Sequence, residues 1–472
     1  MKETADYSKL LHLYRRAGLG SLPPREVPLR KAVASLFQIS ESFTPIEVIS
    51  AAEVARQRQE TRQTMMAGAD PKATVKDRLK ENQELTRDLN VAWINQMATS
   101  QEALRERMAL FWHGHFACRI QQQPYLVQNY LHTLRRHALG HFGDLLMAVS
   151  KEPAMLQFLN NQQNRKNSPN ENFAREVMEL FTLGRGHYTE KDIQEAARAF
   201  TGWRYSPEGT FVFQERLHDP GSKTFLGRTG TFRGEDIIQI LLEEKQTARY
   251  LTEKLYRSFV NEVPHPARID ALAEGFYRSG YDIGKLMRTI FEADWFYDES
   301  NRASLIKSPV ELLVGMQRTL STTVTDKQSL LYVQKVLGQV LLYPPNVAGW
   351  PGGYNWIDSS SLLFRMQLPF MLAGTLESKV QSKNDGDVNT QALNRRGRSL
   401  KATIDWDRWA QTFQKVPPKE LPTVVASRLL AVLPAAGVLT DITQKAGAYT
   451  DRTAQIRYLT LAFMSLPEYQ VG

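Results

Sequence analysis

One cysteine, Cys118, occurs among the 472 residues, so no internal disulfide can hold the fold together. Long apolar runs are also absent, and no stretch approaches the roughly 20 residues of a membrane-spanning helix. The N-terminus lacks the apolar segment of a signal peptide, because Arg15 and Arg16 interrupt it. These absences predict a soluble chain that is stabilised by packing, and they favour a cytoplasmic location.

Standard catalytic signatures are missing as well. The sequence has no GxxxxGK[ST] phosphate loop, no GxGxxG turn, no HExxH helix, no GxSxG elbow and no paired CxxC. Several common enzyme classes therefore lose support. Whether the chain is an enzyme at all stays open at this point.

Charge of one sign does not dominate the predicted helices. The formal net charge is +9, but the 59 Lys and Arg are interleaved with 50 Asp and Glu. The dense basic run falls in a polar segment and consists of Arg395, Arg396, Arg398 and Lys401. Nucleic-acid binding needs a concentrated basic face with aromatic or helix-terminal readers, so nucleic acid is not a predicted partner.

Hydrophobic residues make up 42% of the chain and recur at steps of three and four, which is typical of amphipathic helices. One such stripe consists of Leu85, Leu89, Trp93 and Met97. Residues 52–90 are rich in Arg, Gln, Glu and Lys, and they predict a long exposed helical hairpin broken near Gly68 and Pro71. The fold class is therefore predicted to be mainly α.

We predict a large multi-helical globular body, residues 1–377, that carries a small β-hairpin insertion near 201–215, where aromatic and turn residues alternate. Residues 343–356 are too rich in Pro, Gly and Trp for a helix or a central strand, so they predict an ordered loop or lid. Residues 378–404 lose apolar periodicity and predict a polar linker or surface excursion. Residues 405–472 predict a C-terminal helical segment that packs on the main body.

Two histidines lie close together in the string FWHGHF, residues 111–116. His113 and His115 can converge only if their helix ends near Gly114, and an HxH pair at a helix end can present two imidazoles to a metal ion. Alternatively, one histidine is a hydrogen-bonded core residue and the other caps a helix C-terminus.

Carboxylates border the apolar face of a helix predicted within residues 169–184, PNENFAREVMELFTLG. Glu176 and Glu179 lie at this edge, where a carboxylate is costly unless it is paired, hydrogen-bonded or bound to a cation. Each is a candidate for a metal ligand or a general base in a partly buried site. Alternatively, Glu171 or Glu179 pairs with Arg175, and Glu176 pairs with another basic side chain or a helix N-terminus.

Two further histidines lie in turn-rich segments. His187 precedes Thr189 and Asp192, whose spacing predicts a capping box at the start of the next helix. His218 and Asp219 lie in a glycine-containing loop, where a site could assemble around them. Either histidine could instead be a surface residue.

Trp350 and Trp356 give the Pro- and Gly-rich loop its aromatic character. Their rings could stack on a sugar or close a cleft, because aromatic faces beside polar groups suit carbohydrate or peptide contacts. The loop could equally be a structural plug, and we favour the plug because buried aromatic loops are common in large helical proteins.

Nine strings along the chain carry a family resemblance: Arg16-Ala-Gly-Leu-Gly20, Phe111-Trp-His-Gly-His-Phe116, the PNENFAREVMELFTLG string, Tyr188-Thr-Glu190, Ala197-Arg-Ala-Phe-Thr-Gly-Trp203, His218-Asp219, Lys223-Thr-Phe-Leu-Gly227, Ile306-Lys-Ser-Pro-Val310 and Pro344-Pro-Asn-Val-Ala-Gly-Trp-Pro-Gly352. Together they resemble a bacterial family catalogued as domain of unknown function eighteen hundred. The resemblance covers most of the chain, and it implies a shared fold rather than a known reaction.

The resemblance also implies a partner and a compartment. Members of that family are often encoded beside a second family related to alkaline phosphatases and sulfatases, and many members look exported. This chain departs from the pattern because it shows no export signal and has Asn160 where similar sequences often have Asp. A mechanism that needs a carboxylate at that position is weakened.

Two functional hypotheses follow. The first is a metal-dependent enzyme, for example a hydrolase, in which a divalent cation polarises a substrate or acidifies a water molecule. Its candidate residues are His113, His115, Glu176 and His218 as metal ligands, Glu176 and Glu179 as catalytic groups, Asp219 to orient a histidine, and Glu171, Arg175, His187, Trp350 and Trp356 nearby. The second is a non-catalytic scaffold or assembly partner of a phosphatase- or sulfatase-like protein. Neither hypothesis fixes the substrate or the oligomeric state.

Overall fold

The computed structural model describes residues 5–24, 26–67, 70–120, 123–378, 380, 400 and 402–472. The chain is mainly α, as its periodicity predicts. The helices before residue 200 are Ala5–Ala17, Leu29–Ile39, Ala51–Met66, Pro71–Thr99, Ala103–His115, Pro124–Arg136, Phe142–Lys151, Pro153–Phe158, Asn172–Glu176 and Glu190–Ala199. The helices after residue 200 are Gly234–Glu243, Lys245–Phe259, Pro266–Arg278, Ile283–Glu292, Pro309–Thr319, Lys327–Leu337, Ser359–Leu372, Trp406–Gln411, Leu421–Leu429, Ala436–Ala446 and Arg452–Met464. No helix within the described ranges is long and apolar enough to cross a membrane.

The predicted helical hairpin consists of Ala51–Met66 and Pro71–Thr99. The two helices contact each other through polar side chains, and Gln57 Nε2 donates a hydrogen bond to Glu81 Oε1 at 3.3 Å. Gly68, at the predicted break, lies outside the described residues. Polar contacts of this kind explain why the hairpin shows a weak apolar stripe in the sequence.

The predicted β-hairpin near 201–215 is confirmed. Strand Trp203–Tyr205 pairs antiparallel with Phe211–Phe213. A second two-stranded sheet, Lys223–Phe225 with Arg228–Gly230, lies where the sequence analysis expected only a loop. Its strands are three residues long, so they are too short to show the alternation that identifies a strand.

A buried ion pair lies at the centre of the main body. Arg135, in Pro124–Arg136, donates from Nε to both carboxylate oxygens of Glu106, at 3.1 and 3.0 Å, and both side chains are fully buried. The indole N–H of Trp93 donates to Glu106 Oε2 at 2.9 Å. Such a pair offsets its desolvation cost only through good geometry and further hydrogen bonds. The network thereby joins three helices.

The C-terminal segment contacts both the first helix and the middle of the chain. Arg15 donates to the Leu430 carbonyl at 2.7 Å, just beyond the end of helix Leu421–Leu429. Lys307 Nζ donates to the Tyr469 carbonyl at 2.6 Å. Basic side chains thus satisfy backbone carbonyls that have no partner within their own segment.

Most of the predicted polar linker 378–404 lies outside the described residues. The basic run Arg395, Arg396, Arg398 and Lys401 lies there too. At the two ends of the linker, Tyr332 Oη donates to Ser378 Oγ at 2.9 Å, and Ala402 forms a backbone bridge with Val324. Both ends are therefore anchored on the main body.

Candidate functional site

The two histidines of the FWHGHF string bind different neighbours. Their helix continues past Gly114 to His115, so the two side chains lie on different sides of it. His113 Nε2 accepts a hydrogen bond from the Leu342 N–H at 3.2 Å. His115 Nε2 donates to the Phe181 carbonyl at 3.2 Å, because a carbonyl can only accept. The helix thus ends within one residue of Gly114, as expected, but the two imidazoles do not converge.

Both imidazoles are buried and neutral. Burial lowers the pKa of His113 to about 3, and burial together with Lys254 lowers the pKa of His115 well below its ordinary value. Phe181, which His115 contacts, lies in the π-helical turn Val177–Thr182, which directly follows helix Asn172–Glu176. These contacts match the alternative interpretation, in which one histidine is a core residue and the other caps a helix C-terminus.

The two candidate catalytic carboxylates have different environments. Glu179 accepts a hydrogen bond from Tyr188 Oη at 2.6 Å and forms an ion pair with the exposed Arg185. Glu176 is half-buried, and its carboxylate has no hydrogen-bond or ion-pair partner among the described residues. Burial, and then the nearby Glu179, raise the pKa of Glu176. The basic partner or helix N-terminus expected for Glu176 is thus missing.

Arg175 forms the ion pairs that the structural alternative expects. It contacts Glu171 at 3.2 Å and Glu190 at 2.7 Å. The capping box of Thr189 and Asp192 is confirmed, since the side chain of each accepts a hydrogen bond from the backbone N–H of the other. The surface around this helix start is therefore organised by local polar contacts.

The remaining histidines also lie apart from a common site. His218 Nδ1 donates to the Thr201 carbonyl at 3.0 Å. Asp219 does not orient a histidine, because its carboxylate forms an ion pair with Arg198 at 2.7 Å, which lowers the pKa of Asp219. His187 is exposed.

In the part of the chain that the structure describes, no group of three or more His, Cys, Asp or Glu could hold a metal ion. The histidines among the predicted ligands have backbone partners in three different segments, which are Leu342, Phe181 and Thr201. The geometry therefore gives the metal hypothesis no support.

A cavity of about 410 Å³ lies where segments from distant parts of the chain meet, and its volume is within the range of small-molecule sites. Its wall is strongly basic, with six cationic side chains against two carboxylates. The cations are Arg15, Arg16, Arg107, Lys254, Arg257 and Lys307, and the carboxylates are Glu262 and Glu311. Aromatic surface comes from Phe111, His115, Trp350 and Trp356.

Arg16 lies in the last turn of helix Ala5–Ala17 and is buried. Its Nη2 donates to the Asn301 carbonyl at 2.5 Å and to Ser304 Oγ at 2.9 Å. Nε and Nη1 have no hydrogen-bond partner among the described residues. Burial lowers the pKa of Arg16 to about 9, so the guanidinium stays charged at neutral pH. A buried cation of this kind is costly unless an anion lies nearby.

Helix Lys245–Phe259 supplies three residues of the wall on one face, because Lys254, Arg257 and Ser258 are three and four positions apart. The Lys254 ammonium has no hydrogen-bond or ion-pair partner among the described residues, and it lies 5.2 Å from the ring of Tyr250. Burial lowers the pKa of Lys254 to about 8. Lys254 thus places an unpaired amine in the cavity.

Lys307 precedes Ser308, the residue that caps helix Pro309–Thr319. Its ammonium lies 3.8 Å from the ring centre of Tyr469, in addition to its hydrogen bond with the carbonyl of that residue. Burial, with a smaller contribution from Arg15, lowers the pKa of Lys307 to about 7. The Lys307 amine therefore changes its protonation state near neutral pH.

Two cations of the wall form ion pairs with carboxylates, and one of them is Arg257, which contacts Glu253 at 3.1 Å. Arg107 Nε lies 2.8 Å from Glu311 Oε1, and Arg107 Nη2 donates to the Ser258 carbonyl at 2.9 Å. The other carboxylate oxygen of Glu311 accepts the N–H of Ser308, the residue that caps the same helix. The charge of Glu311 also offsets part of the effect of burial on the pKa values of Arg16 and Lys307.

The Pro- and Gly-rich loop closes the cavity on one side. Gly349 has φ +77°, and a β-carbon there would lie 2.4 Å from the Gly114 carbonyl oxygen. The loop backbone therefore lies directly on the FWHGHF helix, and Trp350 stacks on His113 at 5.2 Å and an interplanar angle of 21°. Trp356, 8% exposed, lines the same cavity.

Sequence reasoning missed the cations of this cavity. Arg16 and Lys307 lie in strings that carry the family resemblance, but a single basic residue in a helix usually indicates a solvated face. The available signal was Arg107, which is buried within an otherwise apolar helical stripe. The convergence of these residues depends on tertiary packing and is not visible in local spacing.

Comparisons with known proteins give one match. A family described as "Protein of unknown function (DUF1800)" matches residues 12–471, which confirms the resemblance seen in the sequence. No curated protein and no solved structure matches the chain.

Proposed function

The chain belongs to the DUF1800 family, and we propose that it binds a small ligand carrying an oxyanion, such as a phosphate, sulfate or carboxylate group, in the cationic cavity. The observation that carries the proposal is the charge of the wall, where six basic side chains face two carboxylates. Guanidinium and ammonium groups are the usual partners of oxyanions in proteins.

Desolvation strengthens this preference. Like charges in a wall of low dielectric repel one another, and burial lowers the pKa values of Arg16, Lys254 and Lys307. A bound oxyanion reverses that cost, because it stabilises the protonated form of each group. The cavity also focuses the positive potential of its wall and so attracts anions from solution.

Sulfate binding measured by isothermal titration calorimetry tests the proposal. We expect the wild-type protein to bind sulfate with a Kd of about 1 mM or tighter. Lys254→Met should remain folded, since the amine has no partner, and should weaken sulfate binding about tenfold through loss of one charged contact.

The matched control is Lys245→Met on the same helix. Lys245 is exposed and contacts Glu274 at 3.1 Å outside the cavity, so its replacement should leave sulfate affinity unchanged. A wild-type protein that fails to bind sulfate and phosphate would contradict the proposal. Equal sulfate affinity in wild type and Lys254→Met would contradict the assignment to this cavity.

The metal-dependent enzyme stays a prediction that needs its own measurement. Elemental analysis of protein purified without chelators, compared with His115→Ala, tests it. A stoichiometric divalent metal that is lost in the variant would support the metal hypothesis, and a metal-free wild-type protein would end it.

The scaffold hypothesis also stays a prediction. Co-purification of the chain with a phosphatase- or sulfatase-like protein at micromolar concentration tests it. Absence of a complex would contradict this hypothesis without bearing on anion binding.

A further inference from the structure

We infer that the ligand of the cavity is a sugar that carries a phosphate or sulfate ester, an inference that rests on the proposed function and extends it. The cations of the wall account for the ester group. Two further features, an unpaired carboxylate and an aromatic wall, have no role in binding a bare inorganic anion.

Glu262 supplies the unpaired carboxylate. It lines the cavity, and its carboxylate has no hydrogen-bond or ion-pair partner among the described residues. It lies directly against the loop, where a β-carbon at Gly353 would fall 2.0 Å from Glu262 Oε1. An ionised carboxylate only accepts hydrogen bonds and repels anions, so it fits the part of a ligand that carries hydrogen-bond donors, such as the hydroxyl groups of a sugar. A ligand with both hydroxyl groups and an oxyanion satisfies both parts of the wall.

Trp350 supplies a rigid ring in the same wall. His113 stacks on the indole and holds its orientation. Phe111, which lines the same cavity, stacks on His115 at an interplanar angle of 10°. Flat apolar faces of this kind pack against the C–H face of a sugar ring while its hydroxyls reach polar groups. Ser258 and Gln339, which also line the cavity, add such groups.

Calorimetric titrations with inorganic phosphate, glucose 6-phosphate, glucose 6-sulfate and phenyl phosphate test the inference. We expect one or both sugar esters to bind at least about tenfold more tightly than inorganic phosphate. The two sugar esters distinguish a phosphate from a sulfate ligand. Phenyl phosphate has the anion and a flat ring but lacks the hydroxyl groups.

Two variants test whether Glu262 and Trp350 cause the tighter binding of the sugar esters. Glu262→Gln and Trp350→Leu should each remove most of the preference for the sugar ester over inorganic phosphate. Glu262→Gln should also raise the affinity for inorganic phosphate, because it removes a charge that repels the anion. Tyr354→Leu is the matched control in the same loop, because Tyr354 is 76% exposed and does not line the cavity.

Equal affinity for glucose 6-phosphate, glucose 6-sulfate and inorganic phosphate would overturn the sugar assignment and leave the proposed function intact. Tighter binding of phenyl phosphate that does not respond to Glu262→Gln would also overturn it, in favour of a flat aromatic anion. Binding of none of the four ligands would overturn the proposed function itself, so the two failures are distinguishable.

Discussion

Lys254 and Lys307 differ from the surface lysines of this chain because burial makes their ammonium groups less stable. Their pKa values, about 8 and about 7, lie within reach of neutral pH. A bound oxyanion stabilises the protonated form and raises both pKa values. Anion binding and proton binding are therefore linked at these two residues.

Sulfate affinity is expected to fall as pH rises from about 6 to about 10. Below about pH 6 both amines are largely protonated in the free protein, so the full affinity is present. The affinity falls as pH rises above the pKa values of the free protein, about 7 and about 8, and it levels off above the higher pKa values of the bound state. Calorimetry at constant ionic strength measures the profile, and sulfate is the better probe because its own charge does not change in this range.

Lys254→Met should flatten the upper part of that profile, since the amine with the higher pKa is removed. The control Lys245→Met should follow the wild-type curve. A wild-type affinity that stays constant over the whole range would contradict a role for these two amines.

Contacts between residues within one helical turn of each other could be predicted from the sequence. Contacts between residues far apart in the sequence could not. Thr189 and Asp192 form the expected capping box because both groups belong to the same helix start. His113 and His115 bind Leu342 and Phe181, which lie in segments that no local spacing connects to them. For the same reason, the sequence could not show that the candidate metal ligands lie apart.

At the level of elements, the contact between the loop and the FWHGHF helix depends on Gly349. Gly349→Ala is expected to lower the free energy of unfolding, because the new β-carbon would lie 2.4 Å from the Gly114 carbonyl oxygen at a positive φ. Gly352→Ala has a positive φ in the same loop but no atom within 4 Å of the added carbon.

Urea titration of both variants separates the two effects. Gly352→Ala should cost about 1–3 kcal/mol for the backbone conformation alone, because φ +69° with ψ −178° is essentially restricted to glycine. Gly349→Ala should cost about 1–3 kcal/mol more for the clash. Gly349→Ala should also weaken binding in the cavity by displacing Trp350. Equal stability of the two variants would show that the loop does not pack closely on the helix.

Regular elements could be predicted better than irregular ones. The hairpin at Trp203–Tyr205 was visible in its aromatic alternation, whereas the π-helical turn Val177–Thr182 leaves no pattern in the sequence. The helix end near Gly114 was predicted to within one residue, although Gly114 itself stays helical, because a helical glycine costs only about 1 kcal/mol. The surrounding packing outweighs that cost, since nearly all side chains of this helix are buried.

For the whole molecule, the buried pair of Glu106 and Arg135 joins the central helices. Glu106→Gln is expected to lower the free energy of unfolding by about 3–5 kcal/mol, because it leaves a buried guanidinium without a counter-charge. The double variant Glu106→Leu with Arg135→Met should be less destabilised than the single one, since it removes both charges. Urea unfolding followed by tryptophan fluorescence measures both.

The exposed pair of Lys445 and Asp441 provides a control. Lys445→Met should cause a much smaller loss, because solvent screens that contact. A double Glu106 and Arg135 variant that is less stable than Glu106→Gln would contradict this expectation. It would show that the ion pair stabilises the fold more than two apolar side chains at the same positions do.

The cavity wall combines Arg16, Arg107, Lys254, Lys307 and Trp350, which are far apart along the chain. During synthesis, the first helix leaves the ribosome long before Lys307 and Trp350 have been made. Its arginines remain hydrated until the last segments dock, and the repulsion between the cations then arises in one late step of folding. Under the proposed function, free phosphate in the cell would act on the rate of that final docking step rather than on the formation of the individual helices.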